Sequence, residues 1–441
     1  MSRDKGRIAT GRGLTAGLLL VAAAAAFAAA HPPQTPVATA HAKPAPGEDI
    51  LDPDGPAGNP GWQSWGRASG PCGEGRPCTW ERTVGGASDD KISAVATLPN
   101  GDFVIAGNSR ENSGSFYDAW TLGVGKDGRL LWRQAFGGAQ TDQIQDLAVT
   151  TDGEIFAVGH TRSQGAGESD LWFLRLADDG TVRERRTLGG EHNDRARAAA
   201  PDAGGGVFVT GFTASEGAGG RDIWIMRFSP DGTPLWTRTI GGAGYDDGYD
   251  IIAMPDGGAA VTGFVWTDDS RGFDLAVIRL SAAGETVWRR SFHRAAFEAG
   301  TALDVTPDGG LVVLGTTSTD GLRDQDIWAI RLNADGEMLW QQTYGGPKPE
   351  EPWGLAASAS GGFLVAAQTF SKGAGGDIWL FRLTPDGAIA WERTHGGPKW
   401  DHPSALLEMP EGGMLIAGHT ASKGAGFEDG WLLRLDAEGR F

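Results

Sequence analysis

Along residues 80–441 short runs of alternating apolar and polar residues are broken by Gly, Asp and Pro. The stretch 221–242, RDIWIMRFSPDGTPLWTRTIGG, shows the pattern: a strand-like run, a Pro-Asp-Gly turn, a second run and a Gly-Gly exit. Copies recur at 170–176, 326–346, 377–397 and 429–435. Aligned on the slot five residues before Gly-Gly, the units carry Trp80, Trp132, Glu184, Trp236, Trp288, Trp340 and Trp391, spaced 52 residues five times and then 51. A period of this size belongs to propeller blades or to a solenoid. Helical periodicity is absent and turn signals arrive every ~8–12 residues, so the answer is all-β. The fourth unit predicts strands at 249–254, 259–264, 274–280 and 285–292, with tight turns at 255–258 and 281–284 and a longer loop at 265–273. Four antiparallel strands are the unit of a propeller blade.

The array opens on a fourth-strand copy at Trp80 and closes after a third-strand copy at 429–435. Pairing the two completes the last unit and removes two exposed sheet edges. An open solenoid would need capping units, and none is visible. The expectation is a seven-bladed β-propeller of four-stranded blades over 80–441, its ring closed by the N-terminal strand completing the last blade.

The repeated residues read as architecture. Trp120, Trp172, Trp224, Trp328, Trp379 and Trp431 share a third-strand slot, with Ala276 the exception, and fit as filling between sheets. One acidic slot lies after Gly-Gly (Asp90, Asp142, Asp194, Asp246, Glu298, Glu350, Asp401) and a second opens the third strand (Asp118, Asp170, Asp222, Asp274, Asp326, Asp377, Asp429). Both are expected to accept backbone N–H bonds in glycine-rich loops. No segment has the spacing of a calcium loop. The arginines 175, 227, 279, 331, 382 and 434 are expected to pair with carboxylates or to cover apolar surface.

Specificity is sought where the repeat fails, as at Glu184, Ala276 and His293. The tight turns fall on one face of the array, and the longer loops and Gly-Gly connections on the other. Binding residues favour long loops on a rigid scaffold. The loop-face candidates are His192, Arg195, Tyr245, Trp266, His293, Arg294, Lys348, Glu351, Trp353, Lys399, Trp400 and His402. Aromatics with scattered cations suit a carbohydrate, peptide or aromatic ligand.

Composition adds the setting. Residues 1–42 have a basic start and an apolar, alanine-rich run, the order of a secretory signal peptide, with cleavage after Ala30 or Ala42. Residues 43–70 read as a disordered Pro/Gly-rich linker. Residues 71–79 read as a small loop closed by a Cys72–Cys78 disulfide. The expected location is secreted or periplasmic, with no stable membrane insertion after cleavage. The formal charge is −18, and removing the net three positive charges of residues 1–42 leaves −21. Such a surface repels nucleic acid. The chain is expected to be a monomer whose partner is a protein or polysaccharide of the envelope or exterior.

No nucleophile elbow, zinc-protease motif or phosphate loop occurs, and no catalytic or metal-binding residue is assigned. The fourth-strand motif, as in Asp231-Gly232-Thr233-Pro234-Leu235-Trp236 and Asp335-Gly336-Glu337-Met338-Leu339-Trp340, resembles the Gly-x-x-x-Trp docking motif of quinoprotein-like propellers. That resemblance covers Trp80 to Phe441. It departs from the quinone-dependent dehydrogenases in its seven units, in lacking a vicinal Cys-Cys pair, and in offering no calcium or catalytic motif. The pattern looks closer to secreted bacterial repeat propellers, which implies binding rather than catalysis. The leading expectation is a non-enzymatic scaffold. The alternative is a quinone-dependent or carbohydrate-active propeller enzyme (oxidoreductase, hydrolase or lyase). No cofactor is assigned, and neither Ca2+ nor a quinone is excluded.

Overall fold

The computed structural model describes residues 78–110, 116–267, 272–319, 324–358, 361–410 and 412–441. The expected signal peptide (1–42), the expected linker (43–70) and Cys72 of the expected disulfide lie outside the described residues, while Cys78 packs against the cluster of Trp80 and Phe103. Among the described residues no helix is long and apolar enough to cross a membrane.

The fold is all-β, built from four-stranded antiparallel sheets. In the fourth repeat the strands are Asp247–Ala253, Ala259–Thr267, Gly272–Leu280 and Thr286–Phe292, within a few residues of the sequence prediction. Five sheets have four strands. An eight-stranded sheet joins the fourth and fifth repeats through one parallel pair, Phe273 with Phe297. Isolated bridges mark the same step at other junctions: Ser169 with Asn193, Arg221 with Tyr245, and Gly376 with Trp400. The N-terminal strand Trp80–Val84 pairs antiparallel with Asp429–Leu435, Trp80 opposite Arg434, as the fourth strand of the last repeat's sheet.

The first strands of the repeats are Asp90–Thr97, Asp142–Val149, Asp194–Pro201, Asp247–Ala253, Phe297–Val305, Glu350–Ala357 and Asp401–Glu408. Each packs against the next, and Asp401–Glu408 packs against Asp90–Thr97. Each also carries a bulge against its second strand, for example between Ala196 and Ala198. Bulges bend a strand and raise its twist.

Apolar clusters lie between successive sheets. One joins Ala148, Phe156 and Phe173 to Val207, Trp224 and Phe228. The third-strand tryptophans are buried in this filling, Trp120 and Trp431 at 2 % exposure each. The fourth-strand tryptophans lock neighbouring sheets. Trp80, Trp132, Trp236, Trp288 and Trp340 each donate an indole N–H across to the next repeat's third turn, as Trp236 does to the Ala282 carbonyl at 3.1 Å. The turn glycine lies on the indole: a Cβ on Gly284 would stand 2.9 Å from Trp236 Cδ2. This contact explains the Gly-x-x-x-Trp spacing, because the motif's Trp receives the next unit's Gly. At Glu184 the carboxylate occupies the indole's place beside Gly232 and pairs with Arg186 at 2.6 Å.

The arginine series pairs with carboxylates as expected: Arg175 with Glu154, Arg227 with Asp202, Arg279 with Asp256, Arg331 with Asp308 and Arg382 with Glu408.

Candidate functional site

The acidic slot after Gly-Gly lies at or next to the start of each first strand and serves the loop. Asp194 accepts the Gly190 N–H at 2.8 Å and the hydroxyls of Thr213 and Ser215 at 2.5 and 2.6 Å. Asp246, Glu350 and Asp401 likewise accept the amides of Gly242, Gly346 and Gly397. The third-strand Asp caps the long loop, as Asp222 does for Ala218. Both acidic rings thus serve the loops, as their regular recurrence suggested.

The next position on each first strand points to the opposite side, by strand alternation. It holds Lys91, Gln143, Arg195, Asp247, Ala299, Glu351 and His402, opposite Asn108, His160, Phe212, Phe264, Thr316, Gln368 and His419. Residue type changes at every step here while the flanking acids barely change. Two clusters form on this column.

In the first cluster the His402 and His419 rings stack at 4.6 Å between centroids. Trp353 meets His402 edge-on at 4.6 Å, and Trp400 lies 5.7 and 5.5 Å from the two imidazoles. The Lys91 ammonium is 6.0 Å from the Trp400 ring. Burial, and then Lys91, holds His402 down at about 3; burial, then His402 and Lys91, holds His419 well below the usual imidazole range. Both rings are neutral at physiological pH, and the Nδ1 atom of each is buried without a hydrogen-bond partner. Glu351, on the same strand face as Trp353, has its carboxyl raised by burial.

The second cluster gathers Arg195, Arg197 and Arg221. Arg197 pairs with Asp247 at 2.9 Å and lies over Phe212 and Tyr249 at 5.5 and 5.1 Å. Arg221 lies over Phe212 and Tyr245 at 4.4 and 5.8 Å. Arg195 donates Nε–H to Ser169 Oγ at 3.1 Å. Burial, then the charges of Arg197, Arg221 and Arg162, lower Arg195 to about 10; Asp247, already held by Arg197, is the opposing charge. His160, buried beside Arg195, Arg197 and Arg162, is held well below the ordinary imidazole range, first by burial.

The other sequence candidates scatter. His192, Lys348 and Lys399 are exposed, and their backbone N–H groups donate to Ser215, Ser371 and Ser422. Arg294 and Lys348 meet at a cavity of about 280 Å³ lined also by Thr317, Ser318 and Asp324. Trp266 packs edge-on to Phe273 at 5.1 Å. His293 lies between Asp274 and Glu298, its Nδ1 at 3.0 and 3.4 Å from their oxygens. The sequence reading missed Lys91, His160, Arg197, Phe212, Arg221, Tyr249 and His419. Their signal was present as a column of changing residues next to constant ones, but it needs the strand pairing to be recognised as one surface.

Repeated four-stranded antiparallel sheets, interlocked by Trp and Gly, define an all-β repeat protein with one variable polar column. No family model matches the chain, and no curated protein matches it. Among solved structures it is similar to Sqt1 from Chaetomium thermophilum, at 13% identity and TM-score 0.47 over 80% of this chain and 97% of that one. It is similar also to the Pan2 WD40 domain of Neurospora crassa, at 10% identity and TM-score 0.49 over 79% of this chain and 91% of that one. A third similar structure is Sqt1 bound to the N-terminus of the ribosomal protein L10, at 15% identity and TM-score 0.46 over 80% of this chain and 99% of that one. Likenesses this distant carry no argument about the site.

Proposed function

We propose that the chain is an exported, non-enzymatic scaffold, a closed seven-bladed β-propeller that binds a protein or glycan partner at the loop-face end of its central column. The ring reading is supported by the cyclic packing of the first strands and by the pairing of Trp80–Val84 with Asp429–Leu435. Export is supported by the signal-like residues 1–42.

The observation that carries the binding reading is the column itself. A chain of formal charge −18 concentrates Arg195, Arg197 and Arg221 there beside Tyr245 and Phe212, with Trp353 and Trp400 supplying aromatic faces in the other cluster. Lys91 is paired with Glu428 at 2.5 Å and Arg197 with Asp247 at 2.9 Å, whereas Arg195 and Arg221 face a hydroxyl and aromatic rings, and neutral imidazoles leave Nδ1 atoms unpaired. Half-buried cations short of counter-charge favour an anionic group, and flat aromatic faces suit a ring or a planar peptide segment. The partner is therefore an acidic segment of an envelope protein or an anionic polysaccharide.

The test presents the purified protein to acidic envelope proteins and to uronate-containing polysaccharide. Arg195→Ala and Trp400→Ala are expected to weaken retention by about tenfold or more, the size expected for central aromatic and Arg anchors. Retention unchanged in both variants, with the fold intact by circular dichroism, would sink the assignment. Retention on polysaccharide alone would make the protein a lectin.

A further inference from the structure

His293 stands where all six other repeat junctions place glycine, at Gly85, Gly137, Gly189, Gly241, Gly345 and Gly396. At five of them, Gly85, Gly189, Gly241, Gly345 and Gly396, the two acidic slots converge. A Cβ on Gly241 would stand 2.1 Å from Asp222 Oδ1 and 2.6 Å from Asp246 Oδ2, and the other four are crowded by the equivalent pair. The fifth junction keeps its two carboxylates, Asp274 and Glu298, and adds an imidazole to them.

We infer that Asp274, His293 and Glu298 form a site for a divalent transition-metal ion of the zinc type. Among the described residues these three form a group whose ligand atoms all lie within 4.8 Å of one another. His293 Nδ1 lies 3.0 Å from Asp274 Oδ1 and 3.4 Å from Glu298 Oε2. Ligand atoms around a tetrahedral zinc ion with bonds near 2.0–2.1 Å sit roughly 3.3 Å apart, close to both imidazole-to-carboxylate separations, so the ion is admitted once the two carboxylate oxygens adopt the same spacing.

The second oxygen of each carboxylate is already anchored. Asp274 Oδ2 accepts the Thr267 hydroxyl at 3.0 Å, and Glu298 Oε1 accepts the Ala295 N–H at 2.6 Å and the Thr317 hydroxyl at 3.3 Å. Such outer hydrogen bonds aim ligating carboxylates. Glu298 is fully buried, yet its Oε2, facing the imidazole, accepts no hydrogen bond. A divalent ion would satisfy that oxygen and bring two carboxylates and a neutral imidazole to charge balance. His293 has a side chain 49% exposed, which gives the ion an entry path and leaves a coordination position toward solvent.

The purified protein, stripped by chelator and titrated calorimetrically with Zn2+, is expected to take up one equivalent that His293→Gly does not. Co2+ in its place should give visible d–d bands, absent from the variant. The glycine substitution restores the residue of the neighbouring junctions, so the fold should tolerate it. Should it fold poorly, Glu298→Gln decides in its place, with an expected weakening of about tenfold or more. Equal Zn2+ uptake by wild type and both variants overturns the proposal. So does the absence of any Co2+ band in the wild type, which would leave His293 as a hydrogen-bonding partner of the two carboxylates.

Discussion

Gly284 and Gly101 both have φ in the left-handed region, +76° and +85°, but they carry different burdens. A Cβ on Gly101 meets nothing within 4 Å, whereas one on Gly284 runs into the Trp236 indole. Gly101→Ala should therefore cost only the backbone term of about 1–2 kcal/mol. Gly284→Ala should cost that and a further ~1–3 kcal/mol for overpacking the sheet-to-sheet lock. Urea denaturation of the two variants checks this, and equal midpoints would mean that the Trp–Gly contact adds nothing. At this scale the sequence was legible wherever residues repeat: Trp, turn Gly and the two acids all serve the loops and sheet contacts expected of them. It was less legible at His293, whose partners lie 19 residues before it and 5 after. Only the parallel step between Phe273 and Phe297 brings both carboxylates to the imidazole.

The first strands carry a device the pattern did not reveal. Past the bulge in Asp247–Ala253, Asp250 is half-buried against the next first strand, and its oxygens accept the N–H groups of Ile251 and Leu303 at 2.8 and 2.9 Å. Asp146 does the same for Leu147 and Ala199, so each carboxylate ties one first strand to the next. Burial raises both carboxyls to about 7; the Asp146 and Asp304 carboxylates add to the effect at Asp250. The folded state thus keeps a proton that the unfolded chain releases near its ordinary value of about 4. The resulting stability is fully present below that value and is lost as pH rises through 7. Buried neutral His160, His402 and His419 act in the opposite sense, losing stability as pH falls below about 6.5. The test is therefore a difference. Asp250→Asn should be less stable than wild type at pH 5, through one lost hydrogen bond, and should gain on it by ~1 kcal/mol or more by pH 8. A gap in melting temperature that does not change with pH would refute the account.

Across the whole molecule, the strand Trp80–Val84 is the smallest piece with the largest topological consequence. It pairs with Asp429–Leu435, about 350 residues away, and sends the Trp80 indole N–H to the Lys126 carbonyl at 3.0 Å. Removing residues 80–84 should expose the edge of Asp429–Leu435 and withdraw Trp80 from the core it shares with Phe103 and Leu432. Exposed edges are templates for association. The shortened protein is expected to melt several degrees lower, a few kcal/mol by analogy with large core truncations, and to aggregate on heating. An unchanged melting curve would show that the pairing does not hold the array together.

The sequence by itself determined the repeat, its four strands, its turns and the structural duty of the recurring tryptophans and of the two acidic slots, because those depend on local alternation and fixed spacing. It also marked Arg195, Trp353, Trp400 and His402 as departures from the repeat. Only the tertiary structure decided which departures act together. Trp353, Trp400, His402 and His419 meet because adjacent first strands pack side by side, while His192 and Lys399 remain apart on exposed loops. A variable residue in one repeat finds its neighbour roughly fifty positions away, across a sheet-to-sheet contact that no local pattern encodes.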